Sequence, residues 1–583
     1  MKIIKPLMKS IREYKKSSIL SIFFISMEVL MEIFLPFITK RLIDDMNSGI
    51  LNNVWIYAII LVVMASLSLT FGVLAGKSCA IASVGFGKNL RHDLFAKVQD
   101  FSFENIDKFS TSSLVTRMTT DVTYVQMAYM MIIRTAIRCP LMFIFSIIMA
   151  FVVGGNMAFV FVVVIPILAV VLFLIANKAM KLFDKVFKKY DKLNESIQEN
   201  ISGIRVVKSY VREDYETKKF KKASNEVFNE FTRAEKIVAL NNPSMTFAMY
   251  TISLTVSIIG SIYIINTKEL EGLTVGGLSS LLTYGIQILM SLMMLSMVFV
   301  MITISSASMK RIVEVLTEKS TIHNPIDPVM NVNNGEIIFK DVSFKYSKEA
   351  EKNALENINL SIPSGSTVGI IGGTGSSKTT LIQLISRLYD TTEGNVYVGG
   401  VDVRDYDIET LRNQVSVVLQ KNVLFSGTIK DNLRWGNPEA TDEEIIEACK
   451  ISKADEFIET LPNKYDTMIE RGGTNVSGGQ KQRLCIARAL LKNPKVIIFD
   501  DSTSAVDTKT DALIRSGLKK YIPSTTKIII AQRISSIMDS DIIIVMDGGK
   551  INQIGTHEEL LRTNEIYQEV YSTQNKIGGI GNA

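Results

Sequence analysis

Long apolar stretches alternate with polar, lysine-rich stretches through the first half of the chain. Six of them approach the length needed to cross about 30 Å of hydrocarbon. They lie near 17–39, 55–76, 130–153, 157–176, 244–266 and 277–303. The pattern predicts six membrane-spanning helices. The basic arm before the first run is also typical of signal peptides, but its apolar part is too long and lacks a small-residue cleavage site, so we expect it to remain as a helix.

Two connections between these runs, near 77–129 and 177–243, are too long to be turns. They have helical periodicity and few helix breakers, which predicts that the membrane helices continue beyond the lipid and return. We expect the return turns near residues 104–110 and 210–214. At about 1.5 Å per residue, such helices extend some 30 Å or more from the membrane.

The pattern changes after Lys310. Residues 311–334 lose the long apolar runs and collect prolines, which indicates a linker between a helical domain over 1–310 and a second domain over 335–583. In this second domain, short β-rich runs alternate with helical patterns, as expected of an α/β fold.

Composition agrees with a membrane domain joined to a soluble one. The 583 residues are 47% hydrophobic and 21% charged, and the mean hydropathy is +0.24. The formal charge of +6 is too small for this length to indicate a nucleic-acid partner. The four cysteines have neither metal-ligand spacing nor a paired framework, so we interpret them as reduced structural residues.

Charge in the loops predicts the orientation. The N-terminal arm is rich in lysine and so is the connection over 177–243, whereas the VGGN segment between the third and fourth runs carries no charge. Positive residues favour the cytoplasm. We therefore expect a multi-pass protein of the cell membrane, in contact with membrane lipids and with both termini in the cytoplasm.

The most informative motif is VGIIGGTGSSKTTLIQLI, residues 368–385. An apolar strand leads into a glycine-rich turn, and a helix is predicted from Lys378. Backbone N–H groups in such a turn surround phosphates at the helix N-terminus, Lys378 can reach the terminal phosphates, and Thr379 can hold Mg²⁺. The usual pattern has glycine where this chain has Ser377.

Two adjacent carboxylates, Asp500 and Asp501, follow a buried strand in IIFDDSTSAVD. In a phosphate-binding domain, the first would anchor Mg²⁺ through its water shell, and the second would orient or deprotonate the attacking water. The alternative is that both acids only cap or shape a turn.

A third motif, NVSGGQKQRLCIARALL, completes a set that resembles the nucleotide-binding domain of ATP-binding cassette (ABC) transporters, from about residue 335 to 571. Further matches are Tyr346 in VSFKY, Gln420 in VVLQKNVLFSGTI, and SAVD ending at Asp507. The membrane half resembles the six-helix exporter domain, in KNLRHDLFAKV and in NESIQENISGIRVVKSYVRE. The resemblance implies a half-transporter of the multidrug and lipid exporter type, with ATP and Mg²⁺ as cofactors.

The resemblance also implies roles for individual residues. Tyr346 would stack on adenine, and Gln420 would sense Mg²⁺ and face the membrane domain. In this family two cassettes close head to tail, so the signature loop, Ser477 to Gln480 in this chain, would bind the γ-phosphate of the nucleotide held by the opposite subunit. The implied nucleotide contacts are Tyr346, Gly372, Gly373, Thr374, Gly375, Ser376, Ser377, Lys378, Thr379, Thr380, Gln420, Ser477, Gly478, Gly479, Gln480 and Asp507, and the implied metal contacts are Thr379, Gln420 and Asp500.

Three departures from the family pattern fall on one nucleotide-facing surface. Asp501 replaces the usual glutamate, Gln532 stands where the family has its switch histidine, and Ser377 replaces glycine. Glutamine can donate a hydrogen bond to phosphate but cannot carry an imidazolium charge. We expect this chain's P-loop site to bind ATP and hydrolyse it poorly. Because the signature loop is intact, the simplest assembly is a heterodimer with a second ABC half-transporter that supplies the missing glutamate and histidine.

The membrane half indicates less about the cargo. Glu28 and Glu32 share one helical face, with Arg134 and Arg138 as possible partners or headgroup anchors. The acids form either a cation-recognising cavity or a structural pair. The methionines of the last run suit varied apolar cargo, although helix packing explains the same stripe; they are Met290, Met293, Met294, Met297 and Met301. We favour export of amphipathic or hydrophobic drugs, lipids or peptides; the alternative is a regulatory or sensing subunit that uses ATP binding as a conformational switch.

Overall fold

The computed structural model describes residues 4–267, 273–347, 350–502 and 506–579. They group into two compact units. The helical unit contains Met1–Gln99 and Ser110–Glu318, and the sheet unit contains Asp100–Phe109 and Lys319–Ala583. A short part of the first long connection therefore belongs to the sheet unit.

Helices make up nearly all of the helical unit. In chain order, the α-helices of the described residues up to Thr317 are α1 (Ile4–Lys9), α2 (Lys15–Asn47), α3 (Val54–Gln99), α4 (Phe103–Phe109), α5 (Thr111–Thr116), α6 (Val122–Gly154), α7 (Phe159–Ser202), α8 (Ile204–Ser209), α9 (Glu213–Val238), α10 (Asn241–Thr267) and α11 (Val275–Thr317). Of these, α4 lies in the sheet unit. Instead of a plain turn, the first return therefore contains a seven-residue helix.

Among the described residues, five continuous helical stretches are long and apolar enough to cross a membrane. They are Arg12–Asn47, Val54–Gln99, Thr111–Ser202, Glu213–Asn266 and Val275–Thr317. The 92-residue stretch contains both the third and the fourth predicted runs, which the short 3₁₀ turn Gly155–Ala158 separates. The predicted runs thus lie in α2, α3, α6, α7, α10 and α11, with the fourth helix beginning two residues later than expected.

Hydroxyl groups of α11 bind backbone carbonyls of α2 where Pro36 interrupts that helix. Proline lacks an N–H, so its neighbourhood loses a helical hydrogen bond. Tyr284 Oη donates to the carbonyl of Ile33 (2.8 Å) and Ser280 Oγ donates to that of Pro36 (2.5 Å). Both hydroxyls are buried, and the two helices share an apolar core around Ile25.

The second return lies between α8 and α9. Tyr210 and Val211 at its tip are 74% and 81% exposed. This confirms a turn at the predicted place and leaves two apolar side chains in solvent within the helical unit.

In the described residues, the sheet unit contains twelve strands and, besides α4, nine α-helices. The strands are β1 (Ile337–Phe344), β2 (Leu355–Ile362), β3 (Thr367–Gly372), β4 (Glu393–Val398), β5 (Val401–Asp402), β6 (Val415–Val418), β7 (Gly427–Thr428), β8 (Met468–Ile469), β9 (Val496–Asp500), β10 (Thr526–Ile530), β11 (Ile542–Asp547) and β12 (Lys550–Gly555). The helices are α12 (Lys378–Ile385), α13 (Ile408–Gln414), α14 (Ile429–Arg434), α15 (Asp442–Ile451), α16 (Asp455–Ile458), α17 (Gly478–Leu490), α18 (Thr508–Tyr521), α19 (His557–Thr563) and α20 (Glu565–Gly579).

The main sheet has the order β12-β11-β3-β10-β9-β6, parallel except at β12. Strands β9 and β10 are buried throughout, as expected of a parallel sheet covered on both faces. In the register, Ile530 of β10 lies opposite Ile370 of β3 and Asp500 of β9. The carboxyl ends of these three strands therefore meet at one edge, where open α/β sheets bind ligands.

Candidate nucleotide site

The loop between β3 and α12 has the backbone of a phosphate-binding turn. Gly375 has φ +82° and Ser377 has φ +66° and ψ +26°, both in the left-handed region. A Cβ atom at Gly372 would lie 2.2 Å from the carbonyl oxygen of Met546, so only glycine fits there. Helix α12 begins at Lys378, which confirms the predicted start.

Lys378 closes over this loop. Its Nζ donates to the carbonyls of Gly372 (2.9 Å) and Gly373 (2.8 Å) and to Ser376 Oγ (3.1 Å). Burial lowers the pKa of Lys378, against the opposing effect of nearby Asp501 and then Asp500. A partly desolvated ammonium held inside a glycine-rich loop is well placed to meet a phosphate.

Asp500 and Thr379 face each other across the strand ends. Thr379 Oγ1 donates to both carboxylate oxygens, at 3.0 and 3.1 Å. Asp500 is 2% exposed; burial raises its pKa, the Thr379 hydrogen bond opposes the rise, and Asp501 adds to it. A hydroxyl beside a carboxylate suits Mg²⁺, which keeps water or phosphate oxygens as its other ligands. In the described residues no cluster of three or more His, Cys, Asp or Glu side chains forms an all-protein metal site.

Asp501 and Gln532, the two substituted positions, are hydrogen-bonded to each other. Gln532 Nε2 donates to Asp501 Oδ2 at 2.8 Å. Asp501 has φ +48°, and its backbone N–H donates to the carbonyl of Ile530 (3.1 Å). Burial raises the pKa of Asp501, while hydrogen bonds from Gln532 and Gln420 hold the carboxylate in its charged form. The structure thus brings Asp501, Gln532 and Gln420 together beside the P-loop lysine.

Tyr346 lies against the start of α12. Its hydroxyl shares a hydrogen bond with Thr380 Oγ1 (2.9 Å) and donates to Gln383 Oε1 (3.2 Å), and burial raises its pKa. The side chain is 45% exposed, so part of the ring is open to a base. Its role in stacking on adenine stays a prediction.

An aromatic contact extends from Tyr346 to α4. Tyr346 and Tyr389 meet edge to face with ring centroids 5.3 Å apart. Tyr389 Oη donates to Asp107 Oδ2 at 2.6 Å, and its ring also meets Phe103. Sequence reasoning did not select Tyr389 or Asp107, because they lie 282 positions apart and no local pattern relates them.

The signature residues form the N-terminus of α17. Ser477 Oγ accepts from the N–H of Gln480 (3.3 Å), and Gln480 Oε1 accepts from the N–H of Ser477 (2.8 Å). Gly478 and Gly479 are the first two residues of this 13-residue helix, and N–H groups in the first turn of a helix have no intrahelical acceptor. In the described part of the chain, the side chains of Ser477 and Gln480 hydrogen-bond within this loop. By contrast, the side chain of Thr379 connects the P-loop to Asp500.

Asp507 caps α18. Its Oδ1 accepts from the N–H of Thr510 (2.9 Å), and that hydrogen bond lowers the pKa of Asp507. Ser504, the first residue of the SAVD motif, lies outside the described residues.

In the helical unit, Arg138 of α6 binds both acids of α2. Its guanidinium donates to Glu32 at 2.8 and 2.7 Å and also to Glu28. Arg138 is thus confirmed as a partner of the two acids, which favours the structural interpretation over a cation-recognising cavity. Arg134 is exposed in this unit.

Known proteins match both units. The ABC transporter transmembrane region matches residues 18–292, and the ABC transporter domain matches residues 355–504. The uncharacterized ABC transporter ATP-binding protein YfiB of Bacillus subtilis (strain 168) is 36% identical over 557 residues, 94% of each chain. This chain belongs to the ABC transporter family.

Other ABC transporters support this assignment. The uncharacterized ABC transporter ATP-binding protein Rv1273c of Mycobacterium tuberculosis (strain ATCC 25618 / H37Rv) is 33% identical over 584 residues, 99% of each chain. A bacterial Atm1-family ABC exporter, solved with ATP bound, shares the fold with a TM-score of 0.83 at 24% identity, over 96% of this chain and 99% of that one. The predicted family and fold class are confirmed: a helical transmembrane domain precedes a nucleotide-binding domain, the ATPase domain of an ABC transporter.

Proposed function

We propose that this ABC transporter chain is one half of a heterodimeric exporter and that its own P-loop site binds ATP but hydrolyses it slowly. The observation that carries the proposal is the hydrogen bond between Gln532 and Asp501. These are the positions at which the resemblance implies a histidine and a glutamate. In this chain the two side chains bind each other, and neither provides the full chemistry of the residue it replaces.

Slow ATP hydrolysis is expected from the short side chain of Asp501 and from the lack of charge on Gln532. Aspartate is one methylene shorter than glutamate, which withdraws the carboxylate by about 1–1.5 Å. A positioned base contributes about 10²- to 10⁴-fold, and a displacement of about 1 Å can cost around a hundredfold. Hydrogen bonds from Gln532 and Gln420 further restrict the side-chain rotamer of Asp501. Gln532 stays neutral at every pH at which the protein is folded.

Nucleotide binding uses the groups that remain intact. Lys378 and the N–H groups of the loop bind the phosphates, and Tyr346 stacks on adenine. Asp500 and Thr379 would hold Mg²⁺, which would neutralise phosphate charge when bound. Burial of Asp500 favours a bound cation, because a cation removes the penalty on its ionised form.

A second chain completes this arrangement. The N–H groups of Gly478 and Gly479, in the first turn of α17, suit the γ-phosphate bound by a partner, and the partner's signature loop serves this chain's P-loop. Two apolar surfaces also support a partner: the exposed tip at Tyr210 and Val211 in the helical unit, and, in the sheet unit, a cavity of about 320 Å³ beside the stacked Phe425 and Trp435. We expect each tip to dock on the partner's cassette.

The transport cycle follows from differential binding. ATP at both interfaces stabilises the closed pair of cassettes. The cytoplasmic extensions of the helices transmit this closure to the membrane-spanning parts, and the cavity between them opens outward. Hydrolysis at the partner's intact site reverses the closure. A ligand shifts such an equilibrium only by its preference for one state. In this cycle Asp501 and Gln532 keep a nucleotide-bound state closed.

The cargo class follows from the last membrane helix. Met290, Met294 and Met297 are exposed along one side of α11 in the single chain, and methionine adapts to varied apolar molecules. We therefore favour amphipathic or hydrophobic cargo and a cell-membrane location with both termini cytoplasmic. Transport by the purified heterodimer in inside-out vesicles tests this: ATP-dependent accumulation supports export, and no accumulation with any amphipathic candidate supports the alternative, a regulatory or sensing subunit.

The asymmetry of the two sites has a separate test. We expect Asp501→Ala to change the ATPase rate of the heterodimer much less than Ala at the partner's catalytic glutamate. Equal losses from the two single substitutions would contradict the impaired-site proposal while leaving the export proposal intact.

A further inference from the structure

Gln532 lies in a segment that makes few regular backbone contacts of its own. Strand β10 ends at Ile530, and a short 3₁₀ turn starts at Ile534. The residues between them carry the Gln532 side chain, which is exposed. An exposed side chain on an irregular segment needs an external support to stay in one position.

Gln574 of the last helix, α20, provides two hydrogen bonds to this segment. Its Nε2 donates to the backbone carbonyl of Gln532 (2.7 Å), and its Oε1 accepts from the N–H of Ile534 (2.9 Å). One amide therefore satisfies backbone groups on both sides of Arg533. The other end of this connection is the hydrogen bond from Gln532 to Asp501 (2.8 Å).

The position of Gln574 is fixed by the folded core rather than by nucleotide. Tyr567, earlier on α20, is fully buried, and its hydroxyl is 2.7 Å from His557 Nδ1. Asn564, just before the helix, binds Asn552 Oδ1 (2.7 Å) and accepts from the N–H of Tyr567 (2.9 Å). The start of α20 is thus anchored to β12 and α19, so Gln574 is held against the Gln532 segment.

We infer that Gln574 is a positioning residue for the γ-phosphate end of this chain's nucleotide site. It holds the backbone of Gln532 so that one amide N–H binds Asp501 and the second is available to the γ-phosphate, since a primary amide has two donors. This inference rests on the proposed nucleotide-binding function. It assigns to the C-terminal helix a part in distinguishing ATP from ADP.

The test is a comparison of ATP and ADP affinities of the full-length chain, measured calorimetrically with Mg²⁺ in lipid nanodiscs. Gln574→Ala is expected to weaken ATP binding about threefold to tenfold, the range that corresponds to one net hydrogen bond, and to leave ADP binding unchanged. Gln574→Glu keeps the acceptor for Ile534 but places a carboxylate oxygen against the carbonyl of Gln532, so it is expected to weaken ATP binding at least as much as alanine. A merely structural role would weaken both nucleotides equally.

Gln568→Ala is the matched control, because Gln568 lies on the same helix and donates to the carbonyl of Leu561 (2.8 Å), away from the Gln532 segment. It should change neither affinity. In a Gln532→Ala background, Gln574→Ala should have no further effect on ATP. Equal losses for ATP and ADP, no loss at all, or multiplying effects of the Gln532 and Gln574 substitutions would overturn the inference. A wild-type chain that binds ATP no better than ADP would also overturn the inference, whereas a wild-type chain that does not bind ATP would contradict the proposed function itself.

Discussion

Ser377 places an L-residue in a backbone conformation that favours glycine. Its φ of +66° and ψ of +26° are left-handed, and its side chain makes no capping hydrogen bond to α12. Replacing Ser377 by glycine removes the Cβ atom that makes this conformation unfavourable. We therefore predict that Ser377→Gly stabilises the nucleotide-binding domain.

The expected change in the free energy of unfolding is the difference between two opposing contributions. A left-handed L-residue costs about 1–2 kcal/mol, and glycine loses about 0.4–1 kcal/mol through the greater freedom of the unfolded chain. Taking the middle of each range, the net gain is about 0.5–1 kcal/mol. For a domain of about 250 residues this corresponds to a rise in Tm of about 1–4 °C.

The chain offers a clean reporter for this measurement. It has two tryptophans: Trp55 lies in the helical unit and is 77% exposed, and Trp435 lies in the sheet unit. In a Trp55→Phe background, the fluorescence of Trp435 follows unfolding of the nucleotide-binding domain alone. Thermal scans of the nucleotide-free chain give the shift directly.

Ser377→Ala is the control that separates strain from chemistry. It removes the hydroxyl and keeps the Cβ atom, so it should leave Tm near the wild-type value. If alanine raised Tm as much as glycine, or if glycine gave no rise, backbone strain at Ser377 would not limit the stability of this domain.

Two further predictions concern buried charge. Arg138→Met leaves Glu28 and Glu32 without their partner and should destabilise the membrane domain by about 3–5 kcal/mol, seen as loss of monodisperse protein on heating in detergent; an unchanged melting profile would contradict the pairing. Because burial raises the pKa of Asp500, the folded state binds a proton at this carboxyl more tightly than the unfolded state does. The resulting stabilisation is complete below the ordinary pKa of about 3.9 and is lost as pH rises through the raised pKa. Asp500→Asn should therefore be more stable than wild type at pH 7 without nucleotide, with a difference that shrinks toward pH 4, followed by Trp435 fluorescence; a difference independent of pH would contradict the raised pKa.

Much of the site was predictable because its signals are local. A strand, a glycine-rich turn and a lysine at a helix start are consecutive, so the sequence alone places Lys378 and Thr379 together. Asp500 joins them because adjacent parallel strands end at the same sheet edge. The register of β9 and β10 also explains the contact of Asp501 with Gln532, but hydrogen bonding between two side chains 31 positions apart depends on rotamers that no sequence pattern specifies.

The contacts that sequence reasoning missed are long-range and made by ordinary residues. Gln574 belongs to an amphipathic helix and has no motif around it. Asp107 lies in the first long connection, where periodicity predicts helix but cannot indicate that α4 groups with the sheet unit. In the membrane domain, spacing put Glu28 and Glu32 on one face, and only the packing of α2 against α6 selects Arg138 over Arg134 as the partner.

We propose that Asp501 and Gln532 impair ATP hydrolysis at this chain's own site. We would measure the MgATPase rate of the purified heterodimer whose partner carries alanine at its own catalytic glutamate, with this chain either wild type or the Asp501→Glu, Gln532→His double variant. We expect the longer acid and the imidazole to raise the rate about a hundredfold or more. A heterodimer in which the wild-type chain already hydrolyses ATP as fast as the double variant would contradict the proposal.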